Sequence, residues 1–210
     1  MCLYRGLEDK MLSYFALVVV SYLLGSVPFA FIWALVIGRR DLRKLGTGNI
    51  SIYNSLYNIG VLPAALTFAS NAAVGFGAYR LSNLLLPGDE VAMMLAVISV
   101  TTGAIWPIWL WFSGGRGTTT AGWATFFMNP PTAIAVLVVW FLALFLTRRT
   151  FTSTTIVYRA LPLIFGLTKL SWTFMIGGLM LMLIFQVKHR HEYDDTTTYG
   201  LGHRFGLNKN

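Results

Sequence analysis

The chain has 210 residues, 56% hydrophobic and 11% charged, and its 16 Lys and Arg outnumber 8 Asp and Glu to give a net charge of +8. Soluble domains carry about 25% charged residues, so the supply for a water-facing surface is less than half the usual, which excludes disorder and a soluble enzyme. The mean hydropathy of +0.64 leaves room for several membrane crossings and little else. The expected fold is all-α: a polytopic transmembrane helical bundle forming one domain over residues 1–210. Cys2 is the one cysteine, so no intramolecular disulfide and no multi-cysteine metal site is expected.

In chain order the apolar runs predict membrane helices at 12–37, 61–86, 91–112, 118–128, 132–147, 154–167 and 170–187. The first is too long for the core of a cleavable signal peptide. The fourth and sixth are short, reaching under about 25 Å at 1.5 Å per residue. With about seven crossings the termini lie on opposite sides, and the basic residues choose between them. Arg39, Arg40, Arg43, Lys44, Arg116, Arg148, Arg149, Lys188, Arg190, Arg204 and Lys209 all fall on one side. The positive-inside rule makes that side cytoplasmic, with the N-terminus outside and the C-terminus inside. The net charge therefore reads as orientation, and no nucleic-acid partner is expected. Arg159 falls within a span, where it is either a functional group or a side chain that snorkels to the interface.

Three segments on the cytoplasmic side are candidates for chemistry. In Asp41-Leu-Arg43-Lys44-Leu-Gly46-Thr47-Gly48-Asn49-Ile-Ser-Ile-Tyr-Asn54, glycines free the backbone to present N–H groups and the basic residues add charge, a combination that favours an anion. An ordinary solvated loop with glycine turns is the competing reading. In Phe112-Ser-Gly114-Gly115-Arg116-Gly117-Thr118, a glycine-rich junction opens a helix, so helix N–H groups and the Arg116 fork suit a phosphate. A tight interhelical turn anchored by Arg116 among headgroups is the alternative. The third segment, Lys188-His189-Arg-His191-Glu-Tyr-Asp-Asp195, is either an acid/base or metal site or a charged tail. His189 and His191, two apart, point to different faces of a continuing helix.

Taken in this order, the motifs resemble those of the bacterial acyl-phosphate:glycerol-3-phosphate acyltransferases, most clearly from about Ser21 to Trp123. Tyr22-Leu-Leu-Gly-Ser26-Val-Pro28 is similar to that family's first segment. Gly46-Thr-Gly-Asn49 with Asn54 resembles its Gly-Ser-Gly-Asn-x-Gly-Ala-Thr-Asn stretch. Gly103-Ala-Ile-Trp-Pro107 and Phe112-Ser-Gly-Gly-Arg-Gly117 resemble its Gly-His-x-x-Pro and Phe-Lys-Gly-Gly-Lys-Gly. Ala104 stands where the family has His, Ser113 and Arg116 where it has Lys, and Glu192 where it has Asn. The resemblance implies acyl transfer from acyl phosphate to glycerol 3-phosphate, giving lysophosphatidic acid for phospholipid synthesis. It implies a multi-pass protein of the bacterial inner membrane, with membrane lipid as surroundings and the active face cytoplasmic, and no metal or other cofactor. It assigns catalysis to Ser26, Arg43 and His189, and phosphate or substrate binding to Gly46, Thr47, Gly48, Asn49, Asn54, Gly114, Gly115, Arg116, Gly117 and Ser153. A family member that binds a phosphorylated lipid or anion without turnover is the second reading.

Overall fold

A computed structural model describes residues 2–188, with side chains from residue 7 onward. Among the described residues all regular structure is helical: α1 (Cys2–Gly25), α2 (Phe29–Gly38), α3 (Ile52–Asn58), α4 (Val61–Leu85), α5 (Glu90–Ile105), α6 (Thr118–Met128), α7 (Pro130–Thr147), α8 (Thr150–Lys169) and α9 (Trp172–Lys188). Four stretches are long and apolar enough to cross a membrane: Leu7–Gly38, Val61–Leu85, Glu90–Leu110 and Pro130–Thr147. Exposed Val138, Phe141, Leu142 and Phe145 cover the outer side of α7, a surface that suits lipid and not water.

The sequence reading took the first apolar run as one helix, whereas the chain breaks it at Ser26-Val27-Pro28 between α1 and α2. Pro28 has no N–H to continue the ladder, and the Ser26 N–H closes α1 by donating to the Tyr22 carbonyl at 2.9 Å. The loop to α4 also contains a helix, α3, which opens on Ser51, whose hydroxyl accepts the Asn54 N–H at 3.1 Å.

Helix α5 is the centre of the bundle and packs against α1, α4, α6 and α9. Its Ala92, Ala96, Val100 and Ile105 are fully buried. Small residues permit the close approach of α1: a Cβ on Gly25 would overlap the Val100 carbonyl, and one on Gly103 the Tyr22 carbonyl. Seams of this kind bring backbones into van der Waals contact where lipid supplies no hydrophobic drive.

Hydrogen bonds distinguish two ends of the bundle. At one, Asp89 caps α5 through Val91 and Ala92 N–H groups at 2.9 and 3.1 Å and accepts from the Tyr14 hydroxyl at 2.6 Å. Lys10 joins it at 3.3 Å, and Ser171 donates to Glu90 at 2.5 Å. The other end gathers the loop between α2 and α4, the α5–α6 junction, the α7–α8 turn and the last turn of α9. Arg159 is exposed on α8, outside the cavity described next.

Candidate active site

The α5–α6 junction turns back on itself at once, because the Gly114 N–H donates to the Ile105 carbonyl at 3.2 Å. Trp111 and Phe112 take left-handed backbone angles, with φ of 51° and 61°, which bulky residues seldom adopt. Trp111 faces outward, 90% exposed, while the glycines that follow face the protein. Gly115 is buried, and a Cβ there would strike the Ile50 carbonyl oxygen. The two glycine-bearing segments recognised in the sequence therefore meet at this contact. Gly117, at φ 70°, is the N-cap of α6, so the positive end of that helix begins beside the glycine run.

A cavity of about 670 Å³ opens there. Its polar part is formed by Ser26 from the α1–α2 break, Ser51 and Tyr53 from the loop, Gly114–Gly117, and Thr118 and Thr119 from α6. Most of its remaining wall is apolar and aromatic, including Trp123 and Phe126 of α6, Trp140 of α7, Leu161 and Phe165 of α8 and Phe185 of α9, with Asn71, Thr150 and Thr154 among them. Such a space takes an anionic group at one place and a hydrocarbon chain along the rest.

The expected site residues divide by position. Ser26, Gly114, Gly115, Arg116 and Gly117 share the cavity wall. Ser26 is fully buried and its hydroxyl donates to the Tyr22 carbonyl at 2.8 Å. Arg43 is exposed and off that wall; its Nε and Nη2 donate to Asp41 at 3.0 and 2.8 Å, and its guanidinium lies 4.9 Å from the Phe31 ring centroid. This partner holds the Asp41 carboxyl below its ordinary pKa, chiefly by hydrogen bonding, and raises that of Arg43 in return. Gly46, Thr47, Gly48 and Asn49 form the turn behind the wall. Of these, Asn49 comes nearest, its Oδ1 lying 3.9 Å from where a Gly115 Cβ would be.

Asn54 is fully buried, and its amide donates to the carbonyls of Leu42, Leu45 and Asn49 at 3.2, 3.0 and 2.8 Å. Those bonds tie the loop into one shape and place Asn54 as its staple, behind the surface that faces the cavity. Ser153 has a comparable position in the α7–α8 turn. Its hydroxyl donates to the Arg149 carbonyl at 2.7 Å and lies 2.9 Å from that of Thr147, while its neighbours Thr150, Phe151 and Thr154 reach the wall. His189 lies outside the described residues. The residue before it, Lys188, donates from Nζ to the Gly114 carbonyl at 3.1 Å, a link to the glycine run that sequence reasoning missed.

Sequence reasoning also missed Tyr158, whose hydroxyl is 2.8 Å from that of Thr118. Its ring stacks on Phe185 with centroids 4.3 Å apart, joining α8 and α9 to the start of α6. Trp140 donates to Thr154 at 3.1 Å and lines the same wall. The available signal was an aromatic ring with a polar tip inside an apolar span. Ala104, at the position of the family's His, lines the cavity too.

The family model described as glycerol-3-phosphate acyltransferase matches residues 15–198. A relative of that name from Chromobacterium violaceum is 33% identical over 181 residues, covering 85% of this chain and 87% of its own. One from Syntrophomonas wolfei is 28% identical over 179 residues, 85% of this chain and 91% of its own. Among solved structures, PlsY (YgiH), an integral membrane glycerol 3-phosphate acyltransferase crystallised in its glycerol 3-phosphate form, superposes with a TM-score of 0.75 at 21% identity over 94% of each chain. Its lysophosphatidic acid form gives 0.73 at 19%. This all-helical integral membrane chain belongs to the glycerol-3-phosphate acyltransferase family.

Proposed function

We propose that the protein transfers an acyl group from acyl phosphate to the primary hydroxyl of glycerol 3-phosphate at the cytoplasmic face of a bacterial inner membrane. The acyl carbon exchanges its bond to phosphate oxygen for a bond to the glycerol oxygen, the hydroxyl proton is lost, and inorganic phosphate leaves with lysophosphatidic acid as product. The observation that carries this reading is the single cavity joining the Gly114–Gly117 run to an aromatic and aliphatic interior. Both substrates carry phosphate, and one bears a long hydrocarbon chain.

In this mechanism the glycine run holds phosphate through the backbone N–H groups that follow Gly114, those of Gly115 to Gly117 and the start of α6, with Arg116. Ser26 orients the glycerol hydroxyl from the α1–α2 break, and His189 contacts the phosphate or the attacking hydroxyl. Arg43 adds positive charge at the edge, and Gly46–Asn49 with Asn54 hold the loop that backs the glycine run. Ser153 fixes the turn that carries Thr150 and Thr154 to the wall. Acyl phosphate already has a good leaving group, so positioning and charge neutralisation supply most of the acceleration. Seven crossings of one domain, with the N-terminus outside and the C-terminus in the cytoplasm, put this site where both substrates are available.

Purified protein in lipid, given palmitoyl phosphate and radiolabelled glycerol 3-phosphate, forms labelled lysophosphatidic acid and releases one phosphate per product. Folded protein that yields no product at any substrate level overturns the proposal.

A further inference from the structure

Lys188 ends α9 half-buried, with its Nζ 3.1 Å from the Gly114 carbonyl oxygen. No carboxylate pairs with it among the described residues, whose ion pairs are Lys10 with Asp89 and Arg43 with Asp41. A partly desolvated ammonium is costly in a folded protein, and one carbonyl compensates only part of its lost hydration. The expense has a reason if an anion completes the site.

The carbonyl it holds is informative. Gly114 C=O and Gly115 N–H belong to one trans peptide plane and point in opposite directions. Holding the carbonyl toward Lys188, which is not on the cavity wall, turns the Gly115 N–H the other way, and Gly115 is on that wall. The other side of Gly114 is fixed as well, by its own N–H on the Ile105 carbonyl at 3.2 Å. The Gly115 N–H donates to no backbone carbonyl in the turns and loops described. Gly115 is itself buried, a setting in which N–H groups are nearly always satisfied.

We propose that Lys188 is a positioning residue: by clamping the Gly114 carbonyl it aims the Gly115 N–H at a substrate phosphate and adds its charge behind that bond. This rests on reading the cavity as a phosphate site. It also couples the glycine run to the last helix.

The test compares Lys188→Met, Lys188→Arg and the wild type in lipid. Turnover is measured with palmitoyl phosphate and glycerol 3-phosphate, and the thermal midpoint of each protein is measured with and without inorganic phosphate. The clamp predicts that Lys188→Met raises KM for a phosphate substrate by about tenfold to a hundredfold, the loss of one charge-assisted hydrogen bond. The same variant loses most of the phosphate-induced midpoint shift but keeps its ligand-free midpoint, and Lys188→Arg recovers both. A folded Lys188→Met with wild-type KM and wild-type phosphate shift overturns the clamp, as does an Arg variant as defective as Met. Should Lys188→Met fail to fold, Lys188→Gln, which keeps a donor without the charge, carries the same comparison. A wild type with neither turnover nor phosphate shift refutes the phosphate site itself, so the two failures are distinguishable.

Discussion

The Asp89 end and the Gly115 end of the bundle are built from similar polar groups put to different use. At the Asp89 end donors and acceptors answer one another: Lys10, Tyr14 and two backbone N–H groups converge on Asp89, Ser171 meets Glu90, and Asn129, Thr132 and Thr168 form a chain. At the Gly115 end cations predominate. Asp41 is its one acidic residue among those described, against Arg39, Arg40, Arg43, Lys44, Arg116, Arg148, Arg149 and Lys188. An end whose polar groups are internally matched is a fastening. An end with excess positive charge, glycine backbone and an adjoining cavity is suited to receive an anion.

Four measurements can break or sharpen that contrast, the largest effect first. Gly115→Ala forces a methyl group into the Ile50 carbonyl and separates the two loops; kcat/KM should fall by about a hundredfold, the usual cost of displacing a reacting geometry by about an ångström. Asn54→Ala strands three loop carbonyls and should lower unfolding stability by about 1–3 kcal/mol, with activity declining alongside it in detergent melting and turnover assays. Asp89→Ala removes an N-cap and should cost about 1 kcal/mol while leaving kcat and KM of the folded enzyme unchanged. A change in KM from Asp89→Ala, or wild-type kinetics from Gly115→Ala, would erase the distinction between the ends.

The smallest effect is on acid stability. Burial pushes the Asp89 carboxyl up, but hydrogen bonds from Tyr14, the Ala92 N–H and Lys10, with the charge of Lys10, outweigh it and leave the group below its ordinary value. A folded pKa below the unfolded one means that the stabilisation is complete above the unfolded value, about 3.9. It is lost as pH falls through the folded value. Melting temperature should therefore decline below about pH 4, and Asp89→Ala should remove that part of the decline.

Helix positions were largely legible from hydropathy. The predicted run 118–128 coincides with α6, and 61–86 ends one residue beyond α4. What hydropathy does not encode is an interruption that stays apolar: Val27 and Pro28 raise no polar flag, and the signal that marked the α1–α2 break was the proline itself. The glycine run was legible because glycines beside a helix start have a local meaning. Arg43 was not, because its direction depends on Asp41 two residues away and on Phe31 in another helix. Asn54 looked like a donor available to substrate, yet its amide is committed to carbonyls up to twelve residues distant. Lys188 and Tyr158 act across 74 and 40 residues of sequence, contacts that only the packing of α8 and α9 creates.

The break at Ser26-Val27-Pro28 also constrains what can fill the cavity. Hydrocarbon tolerates non-helical backbone only where protein buries it or water reaches it, and this break lies on the cavity wall. Protein meets that condition here: Ser26 is fully buried, and the Ser26 and Val27 N–H groups donate to the Tyr22 and Leu24 carbonyls at 2.9 and 3.4 Å, so the backbone at this corner is satisfied before any ligand arrives. A ligand that fills the cavity thus meets a corner whose shape the chain has already set, and only a head group matched to that shape fits beside it.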